Sequence, residues 1–255
     1  MKRKLFLLSF LVAVPLLAKE LITVGATPVP HAQILEFVKP ILAKEGYELK
    51  IQEFNDYVIP NMATQDGEVD ANFFQHMPYL EEFNKNHKTN LVKTVSVHLE
   101  PMGVYSSSIK SLDELKEKSK VSVPNDPTNE NRALEVLESN GLIKLNDTAL
   151  KTPLDIVENP KKLRFIEIEA AQLPRTLNDV SIAVINTNFA LSAGLNPTND
   201  ALAMESIDSP YANILVVKAG NEKDPKIVAL GKALNSPEVK EYILKAFKGE
   251  IIPAF

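Results

Sequence analysis

The sequence contains no cysteine and no tryptophan. The absence of cysteine excludes disulfides, thiol nucleophiles and thiolate metal ligands. Histidine is also scarce, because the chain has only His31, His76, His87 and His98. No two of them have the i, i+4 spacing of a helical metal site. We therefore predict no metal site and no cofactor.

Positive charge is in the minority. The chain carries 28 lysines and arginines against 33 aspartates and glutamates, a net charge of −5. A nucleic-acid partner requires a basic face, and the scattered lysines predict none. The length is sufficient to bury a large core in one or two domains.

Long uncharged runs are missing except at the start of the chain. Lys2, Arg3 and Lys4 precede an apolar stretch at 5–18, which is shorter than the roughly 20 residues that cross a bilayer. This pattern predicts a signal peptide over residues 1–18, cleaved near Ala18, and an exported, periplasmic protein. The alternative is a buried N-terminal helix, which Lys19 and the acid after it disfavour.

After residue 18, apolar β-rich runs alternate with segments of helical periodicity. Residues 21–26, 47–52, 69–73, 120–123 and 181–185 predict strands, and 31–45 and 128–140 are among the predicted helices. Ser111 and Glu114 predict a capping box, and Thr128 is the predicted cap of the second helix. Such alternation predicts an α/β fold with mixed, mostly parallel sheets and helices on both faces. If two domains exist, 95–105 and 209–217 are the candidate crossing strands.

Catalytic signatures are absent from the sequence. It has no G-x-S-x-G elbow, no Walker loop and no G-x-G-x-x-G turn. The acidic pairs Glu81/Glu82 and Glu167/Glu169 are typical of solvated faces. No nucleophile, base and oxyanion site assemble, so we predict no catalytic residue and no enzyme activity.

Two segments combine unusual side chains. Residues 72–79 place Phe73, Phe74, His76 and Tyr79 at the end of a predicted strand, where ligands of parallel sheets bind. The alternative is that the phenylalanines are core and His76 is a helix cap.

The second segment, 124–132, joins a strand to a helix N-terminus, and Arg132 lies near the first helical turn. Free backbone N–H groups and an arginine fork both suit a carboxylate. The alternative is a surface arginine paired with Glu130 or Glu135.

Taken together, these segments resemble the NlpA/MetQ family of methionine-binding proteins of ABC importers. The resemblance covers essentially all of residues 19–255. The matching segments are VGAT (24–27), PHA (30–32), FNDYVIPN (54–61), GEVDANFFQHMPYL (67–80), VPNDPTN (123–129), QLPR (172–175), AVINT (183–187) and SPYAN (209–213).

The resemblance implies a two-lobed periplasmic binding protein fold with two crossing hinge strands. The expected lobes are residues 19–100 plus 213–255, and residues 101–212. By resemblance, Arg132 and Asn129 hold the methionine carboxylate, Asn213 binds the amino-acid backbone end, and Asn186 contributes at the ammonium. The expected thioether pocket is formed by Tyr57, Phe74, His76 and Tyr79.

The implied function is capture of methionine, with L-methionine as the leading ligand, for an ABC permease and its ATPase. The alternatives are D-methionine, a methionyl dipeptide or another apolar amino acid, an exported enzyme acting on amino acids, and a surface antigen or adhesin. One feature departs from the family, whose members mostly carry a lipidated cysteine after the apolar core. Lys19 follows Ala18 here and no cysteine exists, so we expect no lipid anchor.

Overall fold

The computed structural model describes residues 19–255, and the predicted signal peptide lies outside the described residues. The described residues form the expected α/β fold. Among them, no helix combines the length and the apolar character that crossing a membrane requires.

The strands fall into two main sheets and a small hairpin. They are β1 (Glu20–Ala26), β2 (Tyr47–Glu53), β3 (Ala71–His76), β4 (Leu91–Leu99), β5 (Gly103–Tyr105), β6 (Lys120–Pro124), β7 (Lys144–Leu145), β8 (Ile156–Glu158), β9 (Arg164–Ile168), β10 (Ile182–Ile185), β11 (Ala203–Met204), β12 (Ala212–Lys218) and β13 (Ile252–Pro253).

Both main sheets are mixed. The first has the order β13-β4-β12-β3-β1-β2, and the second has the order β11-β5-β10-β6-β9. Strands β1, β2 and β3 pair in parallel, as do β6, β9 and β10. Strands β4, β5, β11, β12 and β13 pair antiparallel. The expectation of mostly parallel sheets therefore holds only for the βαβ portion of each sheet, because the strands next to the crossings run the other way.

Within residues 19–255, eight α-helices connect the strands. They are α1 (Gln33–Lys44), α2 (Ile59–Asp66), α3 (Met77–His87), α4 (Pro127–Ser139), α5 (Thr187–Ser192), α6 (Pro197–Asp200), α7 (Pro225–Leu234) and α8 (Pro237–Phe247). Shorter helical turns span Pro28–Ala32, Leu112–Glu114, Pro153–Asp155 and Ala170–Asn178.

Helix α4 begins earlier than its sequence predicts. The Asp126 side chain accepts a hydrogen bond from the Asn129 backbone N–H, and Pro127 occupies the first helical position. Asp126 is therefore the N-cap, and the prediction of Thr128 was wrong by two residues. An aspartate followed by proline is a favourable start because the carboxylate meets a free N–H and proline has none to satisfy.

Each main sheet has its own apolar core. Helices α1, α7 and α8 cover the first sheet with side chains that include Ile34, Leu230 and Ile243. Helix α4 covers the second sheet, where Leu134 and Leu137 belong to one cluster with Val121. Two separate cores are what two lobes require.

The chain passes between the sheets at residues 100–102 and again at 205–211. We propose that the sheets are the centres of two lobes, residues 19–100 plus 213–255 and residues 101–212. The proposal is supported by Pro101 and Pro210, which lie in the two passages and interrupt the strands.

The leucines of the second lobe allow a matched test of its core. Leu134 has no exposed surface, whereas Leu154 is 95% exposed. We expect Leu134→Ala to lower the free energy of unfolding by about 2–5 kcal/mol, because the substitution leaves a cavity. Leu154→Ala should change it by less than about 0.5 kcal/mol. Urea unfolding followed by circular dichroism measures both, and equal losses would show that the core is assigned wrongly.

Candidate functional site

All eight predicted site residues line one cavity between the two sheets. Tyr57, Phe74, His76, Tyr79 and Asn213 come from the side of the first sheet, and Asn129, Arg132 and Asn186 from the side of the second. Their contact with a ligand stays a prediction. The lining also contains residues that sequence reasoning missed, namely Gln75, Glu100, Thr187 and Asn188.

Aromatic rings form one wall of the cavity. The ring centroids of Tyr57, Phe74 and Tyr79 lie 5.7–6.0 Å from one another. The Tyr79 hydroxyl donates to the Tyr57 carbonyl at 2.9 Å, and the Tyr57 hydroxyl donates to Asn188 Oδ1 at 2.7 Å. Burial raises the pKa of both tyrosines, so both hydroxyls stay protonated as donors. The wall is apolar toward the cavity and fixed at its edges.

Arg132 is buried, with 3% of its surface exposed. Its Nε and Nη2 donate to the two carboxylate oxygens of Glu205 at 2.9 and 2.5 Å, and Nη2 also donates to the Glu100 carbonyl at 2.6 Å. The alternative of a surface arginine paired with Glu130 or Glu135 is therefore wrong. Within the described residues, Nη1 makes no hydrogen bond, and it is the donor left for the cavity.

His76 and Asn129 join the two sides of the cavity. His76 Nε2 lies 3.2 Å from Asn129 Oδ1, and His76 Nδ1 accepts from the Tyr79 backbone N–H at 3.2 Å. Since Nδ1 accepts, the imidazole proton is on Nε2 and the ring is neutral. Burial, followed by the nearby charge of Arg132, lowers the pKa of His76 to about 3. His76 thus caps α3 and lines the cavity at the same time.

The Asn129 amide is already occupied in this structure. Its Nδ2 donates to both Asp126 oxygens at 3.0 Å, and its Oδ1 accepts from Asn186 Nδ2 at 2.8 Å. The side chain therefore links Asp126 to Asn186 through its amide group. The carboxylate-holding role that the family resemblance implies for Asn129 stays a prediction.

A buried acid–histidine network lies beside Asn213. Glu100 Oε1 is 2.7 Å from His98 Nε2 and 3.2 Å from His31 Nε2, and His31 Nε2 is 3.0 Å from Asn213 Oδ1. Because Nε2 of His31 faces two acceptors, it carries the proton, and Nδ1 accepts from the Thr27 hydroxyl at 2.7 Å. Burial lowers the pKa of His31 to about 4 and of His98 to about 3, and it raises the pKa of Glu100.

The same three side chains are the described residues whose donor atoms could hold a metal ion, since those atoms lie within 4.8 Å of one another. The i, i+4 spacing of histidines on a helix could not predict this cluster, because His31 is far from its other members in the sequence. His31 lies in the turn at Pro28–Ala32, and His98 and Glu100 lie at the end of β4. His98 Nε2 donates to Glu100 and His31 Nε2 donates to Asn213 Oδ1, so hydrogen bonds already occupy both nitrogens.

Two amide atoms in the cavity wall have no partner among the described residues. They are Asn186 Oδ1 and Asn188 Nδ2, both buried. Buried polar atoms are nearly always hydrogen-bonded, so unpaired ones in a cavity indicate a polar ligand. One atom accepts and the other donates. With Arg132 and Glu100, the cavity offers both signs of charge next to an aromatic wall.

Comparison with known proteins agrees with this geometry. The family model of the NlpA lipoproteins matches residues 22–255. A Salmonella typhi protein named D-methionine-binding lipoprotein MetQ is 45% identical over 89% of this chain and 86% of its own. A nutrient-binding protein of Burkholderia cenocepacia, solved bound to methionine, is 49% identical and has a TM-score of 0.89 over 92% of this chain and all of its own. A periplasmic substrate-binding protein of a Coxiella burnetii ABC transporter is 44% identical, with a TM-score of 0.88 over 91% of this chain and all of its own.

The family and the Salmonella relative are named as lipoproteins, whereas these 255 residues contain no cysteine. The comparisons therefore give no support to the expectation of a form without a lipid anchor, which stays a prediction. They do support an extracytoplasmic binding protein and a role other than catalysis. The match over nearly the whole described chain shows that the protein belongs to the NlpA lipoprotein family.

Proposed function

We propose that this protein captures methionine outside the cytoplasm and delivers it to the permease of an ABC importer. The observation that carries the proposal is the pairing of two buried, oppositely charged groups, Arg132 and Glu100, with an aromatic wall in one cavity. A zwitterion with a thioether side chain needs these three partners, because both of its charges must be met when they leave water.

The carboxylate of methionine is proposed to bind Arg132 Nη1. Asn188 Nδ2, which has no partner within the described structure, is a second donor for it. Asn213 is a third candidate, because its Oδ1 accepts from His31 and its amide nitrogen is left for the cavity. Hydrogen bonds to an ionised group are roughly twice as strong as neutral ones, so this cluster would dominate ligand orientation.

The ammonium group is proposed to bind near Glu100. Burial raises the pKa of Glu100, and the hydrogen bond from His98 Nε2 and the His31 Nε2 atom at 3.2 Å act against that rise. Asn186 Oδ1 is a buried acceptor in the same cavity without a partner among the described residues. The assignment of Asn186 to the ammonium agrees with the expectation from the family resemblance.

The side chain of methionine is proposed to pack against Tyr57, Phe74 and Tyr79. A thioether is polarizable and makes favourable contacts with aromatic rings. His76 closes this wall and is held neutral by its two hydrogen bonds. The pocket therefore presents no charge to the sulfur.

Closure of the proposed lobes would follow from contacts on both sides. Two hydrogen bonds join the side of the first sheet to the side of the second. They pair Tyr57 with Asn188 and His76 with Asn129. A ligand shifts the open–closed population by its differential affinity for the closed state. A zwitterion touching Arg132 and Glu100 at once has such a preference, and a permease could then recognise the closed form.

Direct titration tests the proposed function and its stereochemistry. Residues 19–255 are purified, unfolded to remove retained ligand, refolded, and titrated with L-methionine and D-methionine by calorimetry. We expect saturable binding at one site. The relative named for D-methionine makes the comparison of enantiomers informative. Absence of binding by both enantiomers would refute methionine as the cargo, and a dipeptide or another apolar amino acid would be titrated next.

Replacement of Arg132 tests the charge assignment. We expect Arg132→Ala to weaken methionine binding at least about 30-fold, because losing one partner of a buried charge pair costs about 2–5 kcal/mol. Arg175→Ala is the control, since Arg175 is exposed and contacts Gln172 outside the cavity. Calorimetry measures both variants. An Arg132→Ala affinity equal to that of the control would contradict the assignment.

Two buried phenylalanines of one cluster separate binding from stability. Phe74 and Phe83 are 3% and 4% exposed, and only Phe74 is among the cavity-lining residues. We expect Phe74→Leu to weaken methionine binding roughly tenfold, because a small misfit in an apolar pocket has an effect of this size. Phe83→Leu should lower the melting temperature and leave the affinity within about twofold. If the two variants lose equal affinity, Phe74 has no specific place at the thioether.

A further inference from the structure

Glu205 is not among the cavity-lining residues, yet it holds the cavity's arginine. We propose that Glu205 is a positioning residue that fixes the Arg132 guanidinium so that Nη1 meets the ligand carboxylate. This inference rests on the proposed function and adds a residue that acts on the ligand through another residue.

The fork between the two side chains defines the orientation of the guanidinium. Glu205 accepts from Nε at 2.9 Å and from Nη2 at 2.5 Å, which uses one complete edge of the planar group. The Tyr211 ring lies 4.4 Å from the Arg132 Cζ atom and covers one face of the guanidinium. An edge and a face are both fixed, so the remaining donor, Nη1, has a defined direction.

Glu205 is itself held by both passages between the sheets. Its Oε2 accepts from the Met102 backbone N–H at 3.1 Å, in the first passage. Its Oε1 lies 3.4 Å from the Ser209 hydroxyl, in the second passage. The Glu205 side chain is only 11% exposed. The orientation of the arginine therefore depends on the segments that must bend if the proposed lobes move.

Two opposite effects of Glu205 on ligand affinity can be separated. Its negative charge competes with the ligand carboxylate for Arg132, so its removal would strengthen binding if charge alone mattered. Its geometry keeps Nη1 aimed at the cavity, so its removal would weaken binding if orientation mattered more. We expect orientation to dominate, because a misplaced partner loses a directional, desolvated hydrogen bond.

A double-mutant cycle tests this role. L-methionine is titrated by calorimetry into the wild type, Glu205→Ala, Arg132→Ala and the double variant. We expect Glu205→Ala to weaken binding at least about fivefold in the wild-type background and less than about twofold in the Arg132→Ala background, because coupled residues are non-additive. General damage to the fold would instead weaken binding equally in both backgrounds.

Two further variants keep the test decisive. Glu205→Gln retains the shape of the side chain and one acceptor oxygen, and should lose less affinity than Glu205→Ala. Glu135→Gln is the control, because it removes an acid of α4 that pairs with Lys151 at 3.2 Å, and it should bind as the wild type does.

The outcomes distinguish this inference from the proposed function. Unchanged or tighter binding in Glu205→Ala, or equal losses in both backgrounds, would overturn the positioning role while the receptor function stands. A wild type that binds no methionine would overturn the proposed function and the positioning role together.

Discussion

The structure depends on the hydrogen bonds and ion pairs made by charged groups that are buried between two sheets. Arg132 and Glu100 are both almost fully buried, and an isolated ion in such surroundings is strongly unfavourable. Arg132 is balanced by Glu205, and Glu100 is balanced by N–H groups of His31 and His98. Both groups line the cavity, where Arg132 Nη1 can donate to the carboxylate of a zwitterionic ligand and the Glu100 carboxylate can accept from its ammonium.

Topology explains why these groups meet. Strand β3 ends at His76, β6 leads into the start of α4, β10 ends just before Asn186, and β12 begins just before Asn213. The carboxyl ends of parallel strands are where open α/β sheets bind ligands, because loops and helix N-termini gather there. Two sheets with such edges facing each other give a cavity with polar groups from both sides.

Local patterns in the sequence were sufficient for the α/β alternation and for singling out Phe74, His76, Tyr79 and Arg132. The family resemblance added Tyr57, Asn129, Asn186 and Asn213. Partnerships across long separations could not be predicted. Glu205 is 73 residues from Arg132, and His31 meets His98 only after β1 and β4 join one sheet. The cap of α4 was missed because Thr128 and Asp126 both suit a helix start, and the backbone decides between them. The antiparallel strands were missed because the strand pattern carries no direction.

We propose that the cavity orients an amino-acid zwitterion between Arg132 and Glu100. A crystal structure of the refolded protein with methionine bound tests it most directly. We expect a carboxylate oxygen within hydrogen-bond distance of Arg132 Nη1, the ammonium beside Glu100, and the thioether against Phe74. A methionine bound in the reverse orientation, or bound outside this cavity, would contradict it.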